Sequence, residues 1–425
     1  MVAPAIATGV AAGGRRAAWA HRIAMLGFAA AGPLAVMASK ALWTAGVVVA
    51  LARIVGWLDV DRRAAAGAWF RDLGRLQLLW PLALLALASA VWALDPARSL
   101  ERGLRLFLEF AVGATMLGLA VEAGPDAARR LVGAAAVGLI AGAAIGTADI
   151  WLSGGIMFWA HDAPPTAFAY GRSAAFVALA TLPVGILCWL HGRAALGLAA
   201  VAAGLLFVLN TFNETAQLAM IPAALAAALA LWRWTRPLPV LAFAVVLLAM
   251  PAVLPVRMDG AIGCTLMEAK LSLVHRLGIW NYADTLIAEK PLLGWGLEAA
   301  RDVPGGTDRY AMPACANVTD SAESLAQRMP LHPHDFALNL WLELGAVGAF
   351  LGLCVVAGWT RALARLPARR AMGFAATAGG AFLPATISFG MWQGWWITSL
   401  FLVAALCCLA PQATPASAGG PPAAR

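Results

Sequence analysis

Apolar runs of membrane-crossing length recur along most of this chain, and no other feature limits its fold so strongly. A helix needs roughly 17 to 25 mainly apolar residues to cross the hydrocarbon of a bilayer. About twelve such runs are present, near 23–39, 41–57, 76–94, 103–122, 131–150, 173–190, 194–210, 216–234, 237–255, 336–357, 371–391 and 395–411. The first two are short and meet at Lys40, so eleven and thirteen crossings are the alternatives. With 62% hydrophobic and 12% charged residues over 425 positions, a water-soluble fold would leave far too much apolar surface exposed. The expected class is an all-α polytopic membrane protein.

Charge gives the orientation, because basic loops resist translocation. Arg15, Arg16 and Arg22 precede the first run with no small-residue cleavage site, which predicts a retained cytoplasmic N-terminus. Alternate loops then collect Arg62, Arg63, Arg71 and Arg75; Arg129 and Arg130; Arg193; Arg233 and Arg236; and Arg361, Arg365, Arg369 and Arg370. The opposite loops carry Lys40, then Arg98, Arg102 and Arg105 against Asp95 and Glu101, then Arg172. The net charge of +8 is therefore a topology signal, and a nucleic-acid partner is not expected. Residues 1–255 hold nine expected spans and 336–411 three more, with a Pro/Ala/Gly tail over 412–425 expected to be cytoplasmic and disordered.

Between the two groups lies one long polar loop, 256–335, which this orientation places outside the cytoplasm. About 80 residues is more than a connector needs and enough for a small helical subdomain. Leu266 to Glu289 has helical spacing and brings His275, Arg276 and Asp284 along one helix. A turn follows at Lys290-Pro291-Leu292-Leu293-Gly294-Trp295-Gly296, and a second at Val303-Pro304-Gly305-Gly306. The loop re-enters the membrane through Leu331-His332-Pro333-His334-Asp335-Phe336, ahead of Glu343-Leu344-Gly345-Ala346-Val347-Gly348. Two of only six histidines, set before an apolar helix that carries an acid, point to chemistry at the membrane surface.

These segments resemble the bacterial O-antigen ligases and O-antigen polymerases, with the related protein O-oligosaccharyltransferases. The resemblance rests on Arg276 and Trp280 leading into a Pro-x-x-Gly-x-Gly turn at Pro291, Gly294 and Gly296, then on His334-Asp335-Phe336-Ala337-Leu338 running into Glu343 to Gly348. It covers about 75 residues well and the multi-span frame more weakly. It implies a GT-C-like fold in the bacterial inner membrane, both termini cytoplasmic and the active site periplasmic. A helical subdomain would cap a lateral opening for a polyprenyl chain. The implied activity moves a glycan from undecaprenyl diphosphate to an acceptor hydroxyl, with lipid A-core the leading acceptor and a growing glycan the next. By position His334 becomes the base and Arg276 a diphosphate ligand. Asp335 departs from the Asn usual there, and Asn213-Glu214-Thr215-Ala216-Gln217 replaces an expected Ser-Arg, so Arg172 is assigned the missing cation's part.

The chemistry is consistent with those assignments. A diphosphate leaving group needs its charge stabilised, which guanidinium forks do bidentately. The attacking hydroxyl must lose a proton, which suits a neutral imidazole with a pKa near ambient. Asp335 or Glu343 would orient that imidazole, and His332 and Glu214 complete the candidate substrate contacts. Neither metal nor cofactor is expected; Asp59 and Asp61 fall on the cytoplasmic side beside arginines. Plainer readings stand beside these: His332 and His334 as interfacial or capping residues, Arg276 snorkelling or paired with Asp284, Arg172 as an interfacial anchor, and Trp392-Gln393-Gly394-Trp395-Trp396 as an aromatic belt before a sugar platform. Asp149 and His161 receive no role. Cys264 and Cys315 share the outer loop, where a bridge is an even choice. A transporter or a lipid-linked glycan flippase is the rival class. The two halves differ, with no matching pair of broken spans, which weighs against a transporter; a flippase would tolerate loss of His334.

Overall fold

The computed structural model describes residues 15–58, 61–156, 170–253, 271–309 and 327–411, together with Thr265. Cys264, Cys315, His161 and Asp59 lie outside them. Fourteen α-helices are present among the described residues, with no strand beyond a single bridge between Arg309 and Gln327. In chain order they are α1 (Arg15–Met37), α2 (Leu42–Trp57), α3 (Arg62–Gly74), α4 (Trp80–Ala88), α5 (Pro96–Glu122), α6 (Pro125–Trp151) and α7 (Gly171–Leu190). Then follow α8 (Ala194–Asn210), α9 (Glu214–Leu229), α10 (Leu238–Val253), α11 (Leu271–Glu289), α12 (Phe336–Arg365), α13 (Ala368–Ile387) and α14 (Gly394–Cys408).

A helix stands at each of the twelve apolar runs. Six of them, α1, α2, α5, α6, α7 and α12, are long and apolar enough to cross a membrane, and α4, α8, α9, α10 and α14 are shorter apolar helices. The chain is a polytopic helical membrane protein. Of the two additional helices, α3 lies in a segment read as a connecting loop, and α11 is the helix expected from the spacing of Leu266 to Glu289 within the long polar loop. α3 is exposed along Arg62, Arg63, Trp69, Phe70 and Arg71 and is capped by Asp61, whose carboxylate accepts the Arg63 N–H at 2.7 Å. That capping role accounts for one acid of the Asp-x-Asp pair.

Packing relies on small residues where backbones meet. A Cβ on Gly138 would sit 2.2 Å from the Ala29 carbonyl oxygen, and one on Gly32 2.0 Å from the Gly138 carbonyl oxygen, so α1 and α6 touch backbone to backbone. α13 packs in the same manner on α9, where a Cβ on Gly379 would lie 2.2 Å from the Pro222 carbonyl oxygen, whereas α14 meets α5 through the Phe401 side chain over Gly113. At one end of the bundle Arg53 of α2 bonds Asp72 of α3 at 3.2 Å and Glu122 of α5 at 2.7 Å. α5 is 27 residues long, which spans about 40 Å at 1.5 Å per residue, so Arg102 near its start lies at the far end from that cluster. The polar loop's described parts gather at this far end.

Candidate functional site at the His-Pro-His loop

The turn and the kinked helix that carry the sequence motifs meet each other. α12 is interrupted at Gly345, with φ 60° and ψ −159°. Pro291 to Gly296 docks into that break: Trp295 N–H and Gly296 N–H donate to the carbonyls of Leu342 and Glu343 at 2.9 Å each, and Ala346 N–H donates to Pro291 O at 2.8 Å. A Cβ on Gly294 would lie 2.5 Å from the Glu343 carbonyl carbon, and one on Gly345 2.4 Å from that of Leu292. Both positions have positive φ as well, so glycine is required twice over. The Glu343 carboxylate fastens the junction, accepting from Glu298 N–H at 2.9 Å and from Trp392 Nε1 at 2.7 Å.

This junction sets α12 so that its N-terminus presents the His-Pro-His loop. Asp335 caps the helix, accepting Leu338 N–H at 2.8 Å, and burial pushes its carboxyl up to about 7. Trp280 of α11 donates its Nε1–H to Pro333 O at 2.8 Å, pinning the loop from outside. His334 has a left-handed backbone, φ 58°, and its N–H donates to His332 Nδ1 at 3.1 Å. The two rings lie 4.3 Å apart between centroids, tilted by 53°. His334 Nδ1 lies 2.7 Å from the Ser388 carbonyl, an acceptor only, so Nδ1 carries the proton and Nε2 keeps its lone pair. His332 Nε2 is 3.1 Å from the side-chain amide of Gln393, itself held by Trp395 Nε1 at 2.7 Å.

Cations surround the pair. Burial, then Arg276 and His275, lower His334 to about 4; burial, then His334, Arg301 and Arg172, lower His332 to about 3. Both rings are therefore neutral, and the His334 pKa is well below the near-ambient value that its residue type suggests. Arg276 is half-buried on α11 with no acceptor among the described residues, and burial lowers its own pKa. No ion pair joins it to Asp284, which burial alone moves upward. Arg172 is exposed at the start of α7, and Glu214 is exposed in the first turn of α9. These two starts are tied together where Asn213 Nδ2 donates to Gly171 O at 2.7 Å, and α9 reaches the histidines through Thr215 Oγ1, 3.1 Å from Ser388 Oγ.

The site thus draws together His332, His334, Arg276, Arg172 and the start of α9. Asp335 and Glu343 are adjacent in the fold, but their carboxylates are engaged in a helix cap and in the turn junction. The orienting contact on His334 comes from the Ser388 carbonyl. Ser388 and Gln393 carried no sequence signal: one acts through its backbone, and the other lies inside an aromatic cluster that reads as a belt.

An apolar cavity of about 740 Å³ opens beside the loop, lined at this end by Phe336, Phe389, Met391 and Trp392 and at the other by Gln77 and Cys408. It lies between α4, α5, α12, α13 and α14 and follows their length. Residues 198–353, from within α8 to the first half of α12, match the O-antigen ligase family. That segment is similar to the O-antigen ligases. A protein of Rickettsia conorii described as a polysaccharide ligase is 32% identical over 130 residues, which cover 30% of this chain and 29% of that one. A second from Rickettsia typhi is 30% identical over 137 residues, 31% of each chain. The chain thus matches under a third of these relatives' length. The matched segment holds Arg276, both histidines and the turn junction, whereas Arg172 comes from α7 and Ser388 and Gln393 from the connection between α13 and α14.

Proposed function

We propose that this protein is a membrane glycosyltransferase of the ligase type, moving a glycan from an undecaprenyl diphosphate carrier to a hydroxyl of lipid A-core on the periplasmic face of the inner membrane. The observation that carries the reading is the half-buried Arg276, with no acceptor among the described residues, beside two neutral imidazoles at the mouth of an apolar cavity. A guanidinium withdrawn from water without a counter-ion is unfavourable until an anion arrives. A polyprenyl diphosphate offers both parts that the site lacks, an anionic head for Arg276 and Arg172 and an apolar chain for the cavity.

In the transfer, the acceptor oxygen attacks the anomeric carbon and the bond from that carbon to the phosphate oxygen breaks, with inversion. The acceptor proton passes to His334 Nε2, the nitrogen left bare by the Ser388 contact. The electron pair leaves with the diphosphate, whose charge the two arginines balance. Donor binding also sets the base: a diphosphate beside Arg276 offsets the positive field on His334 and raises its pKa toward the working range. No step draws on a metal.

The test is transfer by purified protein in nanodiscs supplied with an undecaprenyl diphosphate glycan, with and without lipid A-core and with EDTA present. Glycan on lipid A-core, indifferent to EDTA and reduced about 100-fold or more in His334→Ala and Arg276→Ala, is expected. Longer carrier-linked chains without added acceptor would make the protein a polymerase. Transfer that survives His334→Ala would remove the base assignment, and no transfer at all would leave a flippase as the better reading.

A further inference from the structure

A second cavity, about 460 Å³ and charged rather than apolar, lies next to the histidines. One wall is the start of α5, where Arg98, Glu101, Arg102 and Arg105 recur three and four residues apart on one face. The other is the turn that carries Glu298, Arg301 and Asp302. Arg301 is close enough to His332 for its charge to act there, and Arg102 donates to the carbonyl of Trp392, which borders the apolar cavity. The charged cavity therefore lies at the same end of the bundle as the histidines and is joined to the apolar cavity through Trp392.

Its charges are paired. Arg98 bonds Asp302, Arg105 bonds Glu101, and Arg301 bonds Glu298. Arg102 is held bidentately by Glu109 at 2.9 and 2.8 Å. An anion trap leaves its cations without carboxylates, as Arg276 is among the described residues; here every guanidinium already has a carboxylate. What such a wall offers is alternating donors and acceptors, the complement of a run of sugar hydroxyls, each of which donates once and accepts twice. Two details mark its floor. Arg102 is nine-tenths buried, and its Nε, 4.0 Å from Glu298 Oε1, has no hydrogen-bond acceptor among the described residues. Glu298 has a left-handed backbone, φ 61°, one of three described non-glycine residues with positive φ, and another is His334.

We propose that this cavity is a saccharide subsite that grips the hydroxyls of a sugar unit in the glycan being transferred, and that it does not bind phosphate. The proposal rests on the glycosyl-transfer reading above and adds the place where the sugar is held. Glu101, Arg105 and Asp302 supply its exposed polar edge and Arg102 with Glu298 its floor.

Saturation-transfer NMR on the full chain in nanodiscs tests it, using the free glycan released by mild acid from the producing bacterium's own lipid-linked pool. Transfer to the sugar protons is expected for the unaltered protein and for His334→Ala. Loss on the order of tenfold is expected in Arg105→Ala and Asp302→Asn, the worth of one hydrogen bond to a charged group. Both side chains are exposed, so thermal midpoints should stay unchanged and separate lost binding from lost folding. Inorganic pyrophosphate should leave the sugar signals in place. No saturation transfer to the glycan, unchanged signals in both variants, or displacement by pyrophosphate would each overturn the subsite. Glycan binding of this pattern without any transfer to lipid A-core would instead count against the catalytic reading and leave the subsite standing.

Discussion

His334, the proposed base, holds a left-handed backbone that costs an L-residue about 1–2 kcal/mol. His334→Gly and His334→Ala both remove the imidazole, but only glycine relieves the backbone. The glycine form should therefore be the more stable of the two by about 1 kcal/mol, seen as a higher thermal midpoint, with transfer lost in both. The ring is buried neutral, with its folded pKa about 4 against 6.5 for the free side chain. Between those values the unfolded chain binds more protons, so this group's contribution to stability is full above pH 6.5 and falls as pH drops toward 4. Titration of selectively labelled histidine by NMR should show His334 uncharged down to about pH 4 without donor, and Arg276→Gln should move its midpoint upward, because a cation has been removed. A midpoint near 6.5 in the unaltered protein would contradict the burial described here.

At the scale of elements, α12 is the organising piece. Its N-terminus presents the histidines, and its break at Gly345 receives the Pro291 to Gly296 turn. Gly345→Ala meets both a positive φ and backbone atoms 2.4 Å away, so it should destabilise the fold by more than about 3 kcal/mol and give little folded protein on size-exclusion chromatography. At the helix start, Asp335→Asn keeps a capping oxygen and should retain near-unaltered transfer, whereas Asp335→Ala should cost about 1–2 kcal/mol in stability. A large loss of activity in Asp335→Asn with normal stability would show that the carboxylate acts in the chemistry. The motif residues were legible in sequence, but their reason was not. A Pro-x-x-Gly-x-Gly turn and a Glu-Leu-Gly-x-x-Gly helix almost fifty residues apart read as two separate markers, and only docking shows that Gly294 and Gly345 each clear the other segment's backbone.

Across the whole molecule, the apolar cavity runs from the end of the bundle that carries the histidines to the end that carries Gln77 and Cys408, and under the proposed function its width sets which lipid chain can enter. Ala404 lines it, so Ala404→Trp should fill part of the channel and raise KM for a long polyprenyl donor more than for a short-chain analogue, with kcat little changed. Equal effects on both donors would place the lipid chain elsewhere. The run of apolar segments determined an all-α membrane protein by itself, because hydrophobic length and composition are local properties of the chain. The histidines, Arg276 and Arg172 were also readable, since a titratable or cationic residue at a span entrance stands out against an apolar background. The Ser388 carbonyl, the Gln393 contact, the junction of turn and helix, and the pairing of α5 arginines with the acids at Glu298 and Asp302 were decided only by tertiary structure. Each joins groups tens to hundreds of residues apart through backbone atoms or charge pairs, which leave no periodicity, spacing or composition for a sequence to display.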